Sequence, residues 1–141
     1  MADAAQKAPD GTRREFRNLH VTQIVGYRLP LAGIVSILHR ISGALMFVVG
    51  IPLVLYLFQQ SLTSEISFEG YRTIVSHWFV KLVLLGLAWA YLHHLFAGIR
   101  YLLLDLHIGV EKAPSRKTAL ATLVISLTLT LVVALKIFGA F

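Results

Sequence analysis

Ionisable side chains interrupt a single apolar run. Between Trp89 and Leu106 the chain carries His94, Arg100 and Asp105 among residues that are otherwise mostly aliphatic or aromatic. A charged group at mid-bilayer costs about 2.5–3.5 kcal/mol on insertion scales, so such residues ordinarily face a bundle interior and mark a site. An earlier apolar run holds a second polar group, Ser36-Ile37-Leu38-His39-Arg40-Ile41-Ser42-Gly43. The chemistry open to these residues is narrow. A buried imidazole beside small residues is a natural axial ligand for haem iron. Buried Arg and His are natural partners for haem propionates, which could not otherwise stay ionised at low dielectric. Ser and Arg can also hydrogen-bond a quinone carbonyl, and Arg supplies charge without readily releasing a proton.

Helical periodicity places these groups on faces. At 100° per residue, Ser36, Arg40, Gly43 and Phe47 share one face with His39 beside them, and His94, Gly98, Tyr101 and Asp105 share another. Gly98 lies one turn from His94, so a flat group held by His94 would lie over a position without a side chain; Gly43 could serve likewise. Arg40 is nine residues past Leu31, about 13 Å along a helix. His94 is twelve residues before Leu106, about 18 Å from the same side. The stripes overlap in height, and antiparallel neighbours would gather Ser36, His39, Arg40, His94 and Tyr101 around one pocket. His93 and His94 point about 100° apart and cannot both ligate one iron. A second histidine ligand must be His39 or belong to another chain. His39 is better placed for a propionate edge, which favours another chain.

Three apolar stretches must position these groups: about 31–58, 79–106 and 119–140. Each exceeds the roughly 20 residues that a spanning helix needs. They are continuous rather than alternating, which argues against barrel strands, and only helices and closed barrels satisfy their own backbone in lipid. The expected fold is an all-α membrane protein of three transmembrane helices, completing a bundle with a second small membrane subunit. Residues 1–28 read as a polar cytoplasmic tail and residues 29–141 as the three-span anchor domain. The chain is 57% hydrophobic and 14% charged, too apolar for a soluble domain of 141 residues. It has no cysteine, which excludes disulfides, thiolate metal sites and iron–sulfur ligation by this chain. In a three-span chain the formal charge of +6 reflects topology and anionic lipid or partner contact rather than nucleic acid.

Basic residues set the expected orientation. Lys7, Arg13, Arg14, Arg17 and Arg28 precede the first span, and Lys112, Arg116 and Lys117 follow the second. The opposite side has only Arg72, Lys81 and Lys136. The positive-inside rule then places the N-terminus in the cytoplasm. Asp3, Asp10 and Glu15 argue against a transit peptide, and the first span is expected to act as an uncleaved insertion signal. Pro30 suits the start of the first helix. Phe68 to Val75 could form a short surface helix, with Tyr71 and Trp78 at the interface. Pro114 and Ser115 are expected to break the helix before the third span. Arg100 could serve the site or snorkel as an anchor. Ser36 could bond the Ala32 carbonyl instead of a ligand, Asp105 could pair with a nearby base, and His20, His77 and His107 are expected to be solvated.

At these residues the chain resembles the cytochrome b subunits of succinate dehydrogenase, respiratory complex II. The family carries Ser-x-x-His-Arg-x-Ser-Gly opening its first span, and Ser36 to Gly43 match it in full. It also carries His-x-x-x-Gly-x-Arg with a later Asp, matched by His94, Gly98, Arg100 and Asp105, while Tyr101, Leu104 and His107 depart from family preferences. The resemblance runs from about Arg17 to the C-terminus. It implies a flavoprotein subunit that oxidises succinate in the tricarboxylic acid cycle, an iron–sulfur subunit that relays electrons, and two small anchor subunits that hold haem b and ubiquinone in a bacterial inner membrane. A trimer of such heterotetramers is left open. By the resemblance His94 is the haem iron ligand and the second anchor supplies the other. His39 and Arg40 match residues near the propionates, and Ser36 and Arg40 match quinone-site positions. Where some members place a propionate-binding histidine, Tyr101 offers one hydrogen bond and no charge. Two rival readings are a cofactor-free structural anchor and a menaquinone-linked fumarate reductase anchor.

Overall fold

The computed structural model describes residues 29–139. The expected tail, 1–28, lies outside the described residues, as do its basic and acidic residues and His20. Among the described residues the chain is helical throughout, with no strand. Helix α1 (Leu31–Leu45) starts directly after Pro30, whose carbonyl accepts from the Gly33 and Ile34 amides at 2.9 and 3.1 Å. A π-helical turn, Met46–Gly50, follows without a break and leads into α2 (Ile51–Thr63). There the Ile51 amide donates to the Met46 carbonyl, five residues back. Pro52 explains the local strain: it has no N–H for the carbonyl four residues earlier and crowds it, and a wide turn relieves both.

Together α1, the π turn and α2 make a first span of 33 residues, longer than expected and long enough to cross a bilayer with tilt. Helix α3 (Glu65–Ser76) is the short surface helix, longer than Phe68 to Val75. Ser64 caps it by accepting from the Ser67 amide at 3.1 Å, while Ser67 Oγ accepts from the Ser64 amide at 2.9 Å. The second span is α4 (Trp78–Asp105), and His77 caps it through Nδ1, which accepts from the Phe79 amide at 3.3 Å.

The third span, α5 (Lys112–Ile137), corrects one expectation. Pro114 and Ser115 lie inside its first turns rather than interrupting it, because proline near a helix start replaces an amide that has no partner anyway. Helix α4 ends in a tight reversal in which His107 takes φ 61°. The His107 amide donates to the Leu104 carbonyl at 2.9 Å and the Ile108 amide to the Leu103 carbonyl at 3.0 Å, the pairing of a left-handed helix stop. His77 and His107 are exposed, as expected.

Helix α4 packs against both α1 and α5, and α1 also meets α5. Val35, Ala97 and Ala119, one from each span, are fully buried together. Residues this small let three backbones approach closely, which is how spans associate when lipid already satisfies apolar surface. The three helices long and apolar enough to cross make this a multi-pass membrane protein.

Candidate functional site

Helix α4 carries two polar faces, and each meets a different neighbour. Toward α1 it presents His94, Gly98 and Tyr101; toward α5 it presents His93, Ala97 and Arg100. The first seam holds three of the five residues anticipated around one pocket, His39, His94 and Tyr101. The His94 and His39 rings stack with centroids 4.0 Å apart and planes 12° from parallel. The Tyr101 ring tilts against His39 at 5.2 Å.

His94 uses its two nitrogens differently. Nδ1 lies 3.0 Å from the His39 carbonyl and 3.3 Å from Ser42 Oγ. The Ser42 hydroxyl itself donates to the His39 carbonyl at 2.9 Å, so the network assigns the proton to His94 Nδ1, which donates to both oxygens. Nε2 makes no hydrogen bond among the described residues and keeps its lone pair. A backbone carbonyl that holds one imidazole nitrogen fixes the tautomer and orients the other nitrogen as a ligand.

The two glycines work reciprocally. A Cβ at Gly43 would stand 2.9 Å from His94 Cε1, so only glycine admits the imidazole so close to α1. A Cβ at Gly98 would stand 3.8 Å from His39 Nε2. The surface over Gly98, expected to be bare, therefore faces the His39 ring. The Tyr101 hydroxyl is buried without a hydrogen-bond partner. Beyond this polar group the same seam opens into a cleft of about 500 Å³, walled by Met46, Gly50, Val54, Leu84, Leu87 and Tyr91.

Ser36 and Arg40 stand apart from the rings. Arg40 Nη2 donates to Ser36 Oγ at 3.2 Å, and among the described residues Ser36 makes no bond to the Ala32 carbonyl, the alternative considered for it. Arg40 is exposed on the outside of the three-helix unit, and among the described residues no carboxylate meets it. The expected single pocket is thus divided: His39, His94 and Tyr101 meet between α1 and α4, while Ser36 and Arg40 open sideways. The reason is angular, since Arg40 lies about 100° around α1 from His39. Gly43 falls on the His94 side, not with Arg40 and the exposed Phe47.

The second polar seam was legible only in part. Arg100 is 5% exposed and does not snorkel. Its Nε donates to Thr118 Oγ1 at 3.1 Å, and its Nη2 donates to Ser115 Oγ at 3.0 Å and to the Ser115 carbonyl at 3.4 Å. His93 is fully buried, with Nδ1 3.4 Å from Ser126 Oγ and Trp89 stacked on it at 5.5 Å. Its Nε2 completes no hydrogen bond among the described residues. Ser115, Thr118, Thr122 and Ser126 recur at three- and four-residue steps on α5, a signal that reading for ionisable residues passed over. Asp105 forms no ion pair among the described residues.

The chain matches the family described as the succinate dehydrogenase/fumarate reductase transmembrane subunit over residues 17–133. It belongs to that family. It is similar to the succinate dehydrogenase cytochrome b556 subunit of Paracoccus denitrificans, at 35% identity over 112 residues, covering 79% of this chain and 85% of the relative. It is also similar to the subunit of the same name from Coxiella burnetii, at 36% identity over 111 residues, covering 77% and 85%. Membership in the succinate dehydrogenase/fumarate reductase transmembrane family makes this chain a membrane anchor. Both motifs, Ser36 to Gly43 and His94 to Asp105, lie inside the matched region.

Proposed function

We propose that this chain is the haem b- and ubiquinone-binding anchor of a succinate:ubiquinone oxidoreductase in a bacterial inner membrane, with its N-terminus cytoplasmic. Its partners are a flavoprotein subunit, an iron–sulfur subunit and a second small membrane subunit. The observation that carries the reading is the division of labour within His94: Nδ1 is bound to the first span, and Nε2 keeps a free lone pair. Gly43 supports it as a cradle that a Cβ would fill, and the partnerless Tyr101 hydroxyl supports it as a donor in want of an acceptor.

These residues fit a haem. His94 would ligate the iron through Nε2. His39, Arg40 and Tyr101 would meet the propionates, with Tyr101 adding a hydrogen bond but no charge. The haem supplies a one-electron store when bound. His39 stacks face to face with His94, so the two lone pairs do not oppose one another. That supports a second ligand from the other anchor subunit.

Ser36 and Arg40 serve the quinone. Arg40 donates to Ser36 Oγ, which leaves the serine proton free to hydrogen-bond a quinone carbonyl. The guanidinium stabilises negative charge on that oxygen as electrons arrive from the iron–sulfur subunit. It stays protonated throughout, so the protons reach the quinone from water or partner residues. An exposed cation about 13 Å along the first span is costly against lipid. This supports a partner subunit that covers the Ser36–Arg40 face and closes the site.

The test is the absorption spectrum of the purified complex. A Soret band and a reduced α-band are expected, and both are expected to disappear in His94→Ala while the subunits stay assembled. A colourless wild-type complex, or an unchanged spectrum in His94→Ala, overturns the ligand assignment.

A further inference from the structure

We propose that the cleft between α4 and α5 seats an anionic phospholipid, with its phosphate on Arg100. The site lies about 100° around α4 from the haem seam, and the Arg100 guanidinium stands over the neighbouring Tyr101 ring at 5.5 Å. Three observations carry it. The first is an uncompensated charge. Arg100 is 5% exposed within a membrane span, and among the described residues no carboxylate meets it. Its hydrogen bonds from Nε and Nη2 all go to neutral oxygens of Ser115 and Thr118. They orient the guanidinium but leave its charge unbalanced, and Nη1 makes no hydrogen bond among the described residues.

The second is shape. A cleft of about 210 Å³ runs along the seam, with Arg100 and Thr118 in its lining and Ile99, Leu103, Ala121 and Ile125 forming hydrocarbon walls. Arg100 lies five residues, about 8 Å, from the end of α4. At that depth the guanidinium is within reach of a headgroup phosphate while the walls continue inward along an acyl chain. The third is the surrounding charge. Lys112, Arg116 and Lys117 are exposed at this end of α5, against Asp105 and Glu111. Basic pockets between spans at such an end select anionic headgroups. Arginine also grips phosphate through paired N–H groups, and Nη1 offers the unused donors.

The experiment is native mass spectrometry on the intact complex after delipidation in detergent. Phosphatidylglycerol, phosphatidylcholine and inorganic phosphate are titrated separately. One tightly retained phosphatidylglycerol per copy of this chain is expected, with phosphatidylcholine about tenfold weaker or more, because its choline cation meets the like charges of Lys112, Arg116 and Lys117. Inorganic phosphate alone is expected neither to bind nor to displace the lipid. Arg100→Gln is expected to lose the tight retention of phosphatidylglycerol. Ala121→Trp leaves Arg100 in place but fills the cleft, and it is expected to abolish retention; it decides the matter if Arg100→Gln does not assemble. Equal binding of the two lipids overturns the proposal. So does unchanged retention in Ala121→Trp, displacement by phosphate, or the absence of any saturable lipid in the wild type, which would mean that a partner polypeptide covers the cleft.

Discussion

The imidazole of His94 occupies the place that a side chain on Gly43 would take. With Cε1 2.9 Å from an ideal Cβ at residue 43, the second span can carry its histidine against the first only because that position is bare. Gly43→Ala should therefore push the ring away from the His39 carbonyl and loosen the His94 tautomer. Overpacking of this kind costs about 1–3 kcal/mol. The expected result is a lower melting temperature and a reduced haem content per assembled complex. Gly98→Ala is the control, since its Cβ meets His39 Nε2 at 3.8 Å, ordinary contact. It should be neutral in stability or slightly favourable, because alanine suits a helix better than glycine.

Arg40→Leu should separate quinone reduction from succinate oxidation. Loss of one positioned charge at a developing anion typically costs about 10²–10³ in turnover. Succinate-to-quinone activity should fall by a factor of that order, while transfer from succinate to a soluble dye, which bypasses the membrane, should be unchanged. Equal loss of both activities would point to failed assembly instead, and subunit stoichiometry on the purified complex checks this.

The His93–Ser126 contact predicts an asymmetry. Ser126→Ala removes the partner of His93 Nδ1 and leaves a fully buried ring with neither nitrogen satisfied. An orphaned buried group costs about 1–3 kcal/mol. Replacing His93 by Leu in the same background removes the orphan, so the double variant should melt above Ser126→Ala alone. Thermal unfolding of the four proteins of this cycle checks the ordering.

His107→Gly should stabilise the chain. His107 sits at φ 61° in the stop after α4, a conformation that costs a non-glycine residue about 1–2 kcal/mol. The residue is exposed and outside the polar seams. A rise in melting temperature with unchanged haem content and turnover is expected.

The architecture was largely readable from the chain, for physical reasons that differ by element. Continuous apolar runs announce spans because the bilayer demands length, so all three were found, with ends displaced by up to seven residues. His39, His94 and Tyr101 were readable as one group because helical spacing and depth both bring them to one level. The separation of Arg40 from that group was not, because a 100° step decides between facing a neighbour and facing outward, and the rotation of α1 is set by packing at Val35, Ser42 and Gly43. Arg100 was readable as a charge in a span but not as a tie to α5. The hydroxyls of Ser115 and Thr118 look unremarkable until the guanidinium meets them. The wide turn before Pro52 was not anticipated, because the choice between a straight helix, a kink and a wide turn depends on how the neighbouring helix fits.

That wide turn has a consequence for how the gene can vary. By taking up one residue more than an α-helical turn, Met46–Gly50 acts as a phase shifter, so side chains beyond it sit about 100° from where ordinary winding would put them. Deleting one residue there would let the turn close into ordinary α-helix, leaving the membrane-crossing length nearly unchanged and Val54 still in the seam with Leu84 and Leu87. This point of the first span can thus absorb the loss of a residue that, within regular helix, would be read as a rotation of about 100°.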